Sequence, residues 1–167
     1  MDKTEILKEK LADAEVVLIG IGEEFNEKFD RIAEHEQLVK GLELVDAKEE
    51  LAWMVPYFEK IYLQEQNQSD ILSAYRNLYE LVKDKNYYIV TTCIDGLIQK
   101  AGFKPEKIVE PCGNYEKMQC SAKCSTKLYE SEEYANKIKE ALQDGTLEQV
   151  EQPVCPDCGA PLAFNNI

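Results

Sequence analysis

Residues 86–97 read NYYIVTTCIDGL. The first half is apolar, β-branched and aromatic, the make-up of a buried strand. The second half then presents a thiol, a carboxylate and a glycine within four positions, Cys93, Asp95 and Gly96. In α/β proteins ligands sit outside the carboxyl ends of parallel strands, so this strand end is where a pocket is expected to open. Asp95 also has a simpler reading as the N-cap of a following short helix.

The flanking segments fit the same architecture. QSDILSAYRNLYELVKDK (68–85) places Ile71, Leu72, Tyr75, Leu78, Tyr79 and Val82 on one helical face, with Ser69 as N-cap and lysines in the last turn. AEVVLIGIG (14–22) predicts a buried parallel strand ending in glycines. Asp2 to Ala14 predicts a first helix on which Ile6, Leu7 and Leu11 share a face, capped by Asp2 or Thr4. Downstream, GLIQKAG (96–102) reads as a short helix ended by Gly102, KIVEPCG (107–113) as a third strand, and EEYANKIKEALQDG (132–145) as a helix closed by Gly145. Residues 23–64 predict helix in pieces, with a loop near Gly41 and a break near Pro56. Strand, helices, strand, short helix, strand is an α/β pattern with parallel pairing.

A chain of 167 residues suffices for one domain, or one domain with a small module. With 44% hydrophobic and 31% charged residues, it has a globular composition rather than a disordered one. No apolar run approaches the ~18–20 residues of a membrane span. The N-terminal MDKTEILKEKLADAE is charged throughout and has no signal-peptide core, which points to the cytoplasm. The net charge of −13 repels phosphate backbones and anionic lipids, so neither nucleic acid nor membrane is an expected partner. A basic peptide is better matched.

In a reducing compartment the six cysteines read as metal ligands or reactive thiols rather than disulfides. CSAKC (120–124) and CPDC (155–158) form two close pairs, and Gly159 follows the second. Thiolates from Cys120, Cys124, Cys155 and Cys158 would close a tetrahedral zinc site with no open position, which means structure rather than catalysis. An iron–sulfur cluster, or four ordinary thiols, are the competing readings. These ligands are expected to hold a zinc lobe over 114–167, beside a Rossmann-like part over 1–113.

Gly20 and Gly22, flanking Ile21, would let a pyrophosphate approach the backbone. A plain tight turn accounts for them equally, and Glu23 and Glu24 follow at once, where a diphosphate is unwelcome.

Taken in order, ADAEVVLIGIG, LYELVKDKNYYIVTTCIDGLIQKAGF, KIVEPCGNY and the two cysteine pairs resemble the sirtuins, the NAD-dependent protein deacylases and ADP-ribosyltransferases, over roughly residues 10–167. The likeness extends to their divergent bacterial branch. The resemblance implies a Rossmann-like parallel sheet with a small zinc-binding lobe and NAD between them. It implies that Gly20, Ile21 and Gly22 lie under the diphosphate, that Ile94 and Asp95 hold the nicotinamide carboxamide, and that the four cysteines carry zinc. The substrate it implies is an acylated or ADP-ribose-accepting protein side chain.

Two positions depart from the family. Cys93 stands where the family has an asparagine, and Cys112, before Gly113, stands where it has its histidine general base. The sole histidine, His35, lies elsewhere. The two thiols read as small pocket-filling residues, as catalytic groups acting on an NAD-type glycosidic bond, or as a redox-sensitive pair. The family continues past the second cysteine pair with further strands, so an incomplete sheet, weak NAD affinity or a partner over its edge is expected. The alternative function is a non-catalytic, zinc-stabilised module that binds NAD, ADP-ribose or protein.

Overall fold

A computed structural model describes residues 2–166. The first helix, α1 (Lys3–Asp13), begins after Asp2, whose amide donates to the Glu5 carboxylate at 3.4 Å. Next come β1 (Val16–Ile21), a 3-10 turn at Glu23–Phe25, a second at Ile32–Glu34, α2 (Glu36–Ala47) and a 3-10 stretch at Glu49–Met54. That stretch leads into α3 (Val55–Glu65), followed by α4 (Asp70–Val82), β2 (Asn86–Thr91), α5 (Leu97–Lys100) and β3 (Ile108–Val109). The chain finishes with β4 (Gly113–Cys120), β5 (Leu128–Glu130), α6 (Glu132–Asp144) and β6 (Leu162–Asn166). Ser69 caps α4 by accepting from the Leu72 amide, and Gly145 ends α6 in the left-handed conformation.

The strands form two sheets. One is parallel, in the order β1-β2-β3, with β1 and β2 in register from Val16↔Asn86 to Ile21↔Thr91. The other is antiparallel, in the order β5-β4-β6. The parallel sheet corresponds to the first half of a doubly wound fold. It is buried on one face only, where Val17, Ile19, Ile21, Tyr87 and Ile89 meet Leu72, Tyr75 and Val82 of α4. On the other face Leu18 is 74% exposed and Val109 58%, with Val16, Tyr88 and Val90 beside them. The two-sided burial expected of these strands is therefore not found.

Two local expectations are also corrected, and a third is met. The third strand is only Ile108–Val109, because Glu110 to Gly113 closes a turn in which the Gly113 amide donates to the Glu110 carbonyl at 3.0 Å. Gly41 lies inside α2 rather than in a loop. A Cβ there would stand 2.7 Å from Leu142 and 2.9 Å from Phe58, so the glycine lets α6 and α3 close on α2. The break expected near Pro56 falls at Met54–Val55, where the 3-10 stretch gives way to α3, and Pro56 sits in the first turn of α3, where a proline forfeits no helical hydrogen bond.

Two cores result. The first joins α4, α5 and the covered face of β1 and β2. The second gathers Leu38, Val45, Met54, Phe58 and Tyr62 with Tyr115, Met118, Ile138 and Phe164. The sheets divide at 113, but residues 36–65 pack with the antiparallel lobe, so residues 1–113 are not one packing unit. Among the described residues, no helix is long and apolar enough to cross a membrane.

Candidate functional site

The ends of β1 and β2 are tied together beyond their ladder. The Thr92 amide donates to the Ile21 carbonyl at 3.0 Å, and the Cys93 thiol donates to the Gly22 carbonyl at 3.1 Å. Cys93 is buried, and its amide donates to the Thr91 hydroxyl at 3.0 Å. The Ile94 amide donates to Asn26 Oδ1 at 2.8 Å. Asp95, 5% exposed, accepts from the Leu97 amide on Oδ1 at 2.9 Å and from the Glu27 amide on Oδ2 at 2.8 Å. The Leu97 bond is an Asx turn across Gly96, which at φ +69 is itself the N-cap of α5 and has no side-chain cap, so the N-cap expected at Asp95 falls one residue later. Burial raises the Asp95 pKa. The two amide bonds oppose this rise, while Glu27 and Glu110 add to it.

Among the described residues, the buried side-chain atoms Glu27 Oε2, Tyr75 Oη and Glu110 Oε1 have no hydrogen-bond partner. All belong to residues whose charges or dipoles bear on Asp95 or on its neighbours. Orphaned buried polar atoms cost stability. Glu110 Oε2 accepts from Asn114 Nδ2 at 2.9 Å, and burial raises the Glu110 carboxyl. Cys112 is half-buried on the turn after Glu110. That turn borders a cavity of about 410 Å³ between the parallel sheet and the lobe, reached by Gln99, Glu110, Gly113, Asn114 and Glu116. Among the described residues no hydrogen bond joins Cys112 to Cys93.

Gly20 and Gly22 both have room for a Cβ, with nothing within 4 Å. The chain's own packing does not require glycine at either position. They line, with Ile19, Ile21, Glu24, Phe25 and Leu78, an open cavity of about 410 Å³.

At the other end of β4 the sulfur atoms of Cys120, Cys124, Cys155 and Cys158 lie within 4.8 Å of one another. Cys120–Cys158 and Cys124–Cys155 are each 3.5 Å apart. Four thiolates at 2.3 Å from a tetrahedral zinc would be separated by about 3.8 Å, so the arrangement could hold zinc. Both turns adopt positive φ, at Lys123 (+53) and Gly159 (+76), and these bends point amide groups at sulfur. Amides of Cys124 and Ala122 lower the Cys120 thiol. Burial opposes ionisation of Cys155, but amides of Asp157 and Cys158 with its sulfur and hydroxyl neighbours bring it down to about 6. Lys127 pairs with Asp157 at 2.8 Å across the two knuckles.

Sequence reasoning missed Asn26, Glu27, Tyr75 and Glu110. It also missed Lys60, which is 2% exposed yet paired with Glu116 at 3.1 Å. A lysine on the apolar face of α3 is the one visible signal among them. His35 packs against Tyr62 and Glu65, in a different part of the molecule from the strand ends.

A three-stranded parallel sheet ending in a glycine turn, joined to a four-cysteine lobe, defines a Rossmann-like nucleotide-type fold with a candidate zinc module. Residues 15–164 match the Sir2 family. The chain belongs to that family. It is 25% identical over 181 aligned residues to a protein ADP-ribosyltransferase of Staphylococcus aureus, covering 98% of this chain and 56% of that protein. Among solved structures, an ADP-ribose complex of a Sir2 homologue mutant superposes with a TM-score of 0.61 at 15% identity, covering 100% of this chain and 63% of the other. Sir2Tm bound to a propionylated peptide gives 0.53 at 18% identity, covering 99% and 64%. The chain thus spans a little over half the length of the curated relative, and these structures share the Rossmann-like α/β fold.

Proposed function

We propose that this chain supplies the nicotinamide-side and zinc-bearing part of a sirtuin-type NAD-dependent protein deacylase or ADP-ribosyltransferase. The observation that supports this reading is that the end of β2 sets the Ile94 amide, a donor that meets Asn26 Oδ1, next to the buried Asp95 carboxylate, an acceptor that meets the Glu27 amide. A hydrogen-bond donor beside a buried carboxylate complements a primary amide such as that of nicotinamide. Gly20, Ile21 and Gly22 would lie under the diphosphate, in the open space that a Cβ would enter. Bound NAD would supply an activated glycosidic bond. Asp95 would orient the leaving amide, and burial of the site would exclude water.

Cys112, rather than Cys93, is the thiol left to hold or move a proton. Cys93 commits its S–H to the Gly22 carbonyl, whereas Cys112 is half-buried on a turn whose Glu110 and Gly113, but not Cys112 itself, line the cavity. Zinc on Cys120, Cys124, Cys155 and Cys158 would fix the lobe that forms the far wall. The substrate would be an acylated or ADP-ribose-accepting protein side chain, in line with what the relatives bind or transfer. A net charge of −13 favours a basic surrounding sequence.

The second reading is a non-catalytic NAD- or ADP-ribose-binding module, favoured by the structural engagement of Cys93. Nicotinamide release from NAD, assayed with acyl-lysine peptides, separates them. Turnover that is lost in Cys112→Ala supports the enzyme. Nucleotide binding without turnover, unchanged in Cys112→Ala, supports the module.

A further inference from the structure

Resting on the reading of Ile94 and Asp95 as a carboxamide site, we propose that Asn26 and Glu27 are a resident plug for it. They would have to leave before a carboxamide ligand could bind. A primary amide would present an acceptor to the Ile94 N–H and a donor to the Asp95 carboxylate. In this structure Asn26 Oδ1 is that acceptor, at 2.8 Å, and the Glu27 amide is that donor, also at 2.8 Å. Two adjacent residues thus reproduce the hydrogen-bonding pattern of the ligand on the same two partners.

The segment is anchored on both sides of the plug. Phe25 packs edge-on against Tyr75 at 4.9 Å between ring centroids, and Phe29 packs against Tyr62 at 5.6 Å. The plug nevertheless satisfies its surroundings only in part, since Glu27 Oε2 and Tyr75 Oη stay buried and unpartnered. A cavity of about 280 Å³, bordered by Asn26, Glu27, Arg31 and Gln68, offers space beside the segment. A ligand that binds only the open form has its apparent affinity reduced by the fraction open. Removing the Asn26 side chain raises that fraction.

Nicotinamide is the probe, titrated into the wild-type chain, Asn26→Ala and Asn26→Ser, and followed at the Ile94 and Leu97 amides by NMR. Loss of one net hydrogen bond predicts binding tighter by roughly three- to tenfold in the variants. Without ligand, the Ile94 amide should exchange its hydrogen faster in both. Equal or weaker binding in the variants, or an unchanged Ile94 exchange rate, overturns the plug and leaves the carboxamide site standing. Absence of any shift at Ile94 and Leu97 in all three proteins overturns the carboxamide site, and the plug with it.

Discussion

The Cys93 thiol donates to the Gly22 carbonyl across 3.1 Å, so a side chain joins the end of β2 to the turn after β1. Cys93→Ala removes that bond and leaves a small void among groups that exclude water. Urea unfolding should show a loss of about 1–2 kcal/mol. Alkylation of the zinc-loaded protein should label Cys112 well before Cys93, which is 2% exposed. Rapid labelling of Cys93 would contradict the structural role.

The glycines divide into those the fold needs and those it does not. At Gly113 φ is +69, and a Cβ would fall 1.6 Å from the Asn165 carbonyl oxygen, so Gly113→Ala should cost more than about 3 kcal/mol and open the β4–β6 pairing. Gly20→Ala meets nothing within 4 Å and should change stability by less than about 0.5 kcal/mol. If the space over Gly20 receives a nucleotide, Gly20→Ala should still weaken NAD binding, measured by calorimetry.

Burial raises the carboxyls of both Asp95 and Glu110. An acid whose folded pKa lies above its unfolded value binds its proton more tightly in the native state. Its contribution to stability is full below the ordinary carboxylate range near pH ~4 and is lost as pH rises through the folded value. Glu110→Gln keeps the shape and removes the charge. It should be more stable than wild type at neutral pH and less dependent on pH between the ordinary and raised values, as read from urea midpoints across that window.

Zinc should be bound at one ion per chain, held by the four clustered sulfurs. Chelation, or Cys155→Ser, should lower the melting temperature and expose amides of β4 and β6 to hydrogen exchange while β1 and β2 stay protected. Metal analysis of purified protein showing no zinc, or a chelator without effect on those amides, would contradict this.

Much of the framework is legible in the sequence because its causes are local. The apolar run at 86–92 and the 3.6-residue period of 68–85 need no distant partner to be read, and the paired cysteines carry their geometry in their spacing. What escapes depends on contacts across the chain. Gly41 resembles a loop until Leu142 and Phe58 arrive beside it. Residues 36–65 carry nothing local to say that they pack with a lobe starting after residue 113. The contacts of Asn26 and Glu27 with Ile94 and Asp95 each span 68 residues, so no window around either partner reveals them. Glu110 is an ordinary acid in sequence and becomes a site residue only because the turn at Glu110–Gly113 buries one of its oxygens.

On the proposed reading, the ends of β1 and β2 form a nucleotide site facing the lobe. The most direct measurement is the map of backbone amide shifts of the isotope-labelled chain as NAD is added to millimolar concentration. Shifts should concentrate at Gly20, Ile21, Gly22, Ile94, Asp95 and Gly113. Shifts confined to other surfaces, such as that around His35, or none at saturating solubility, would contradict it.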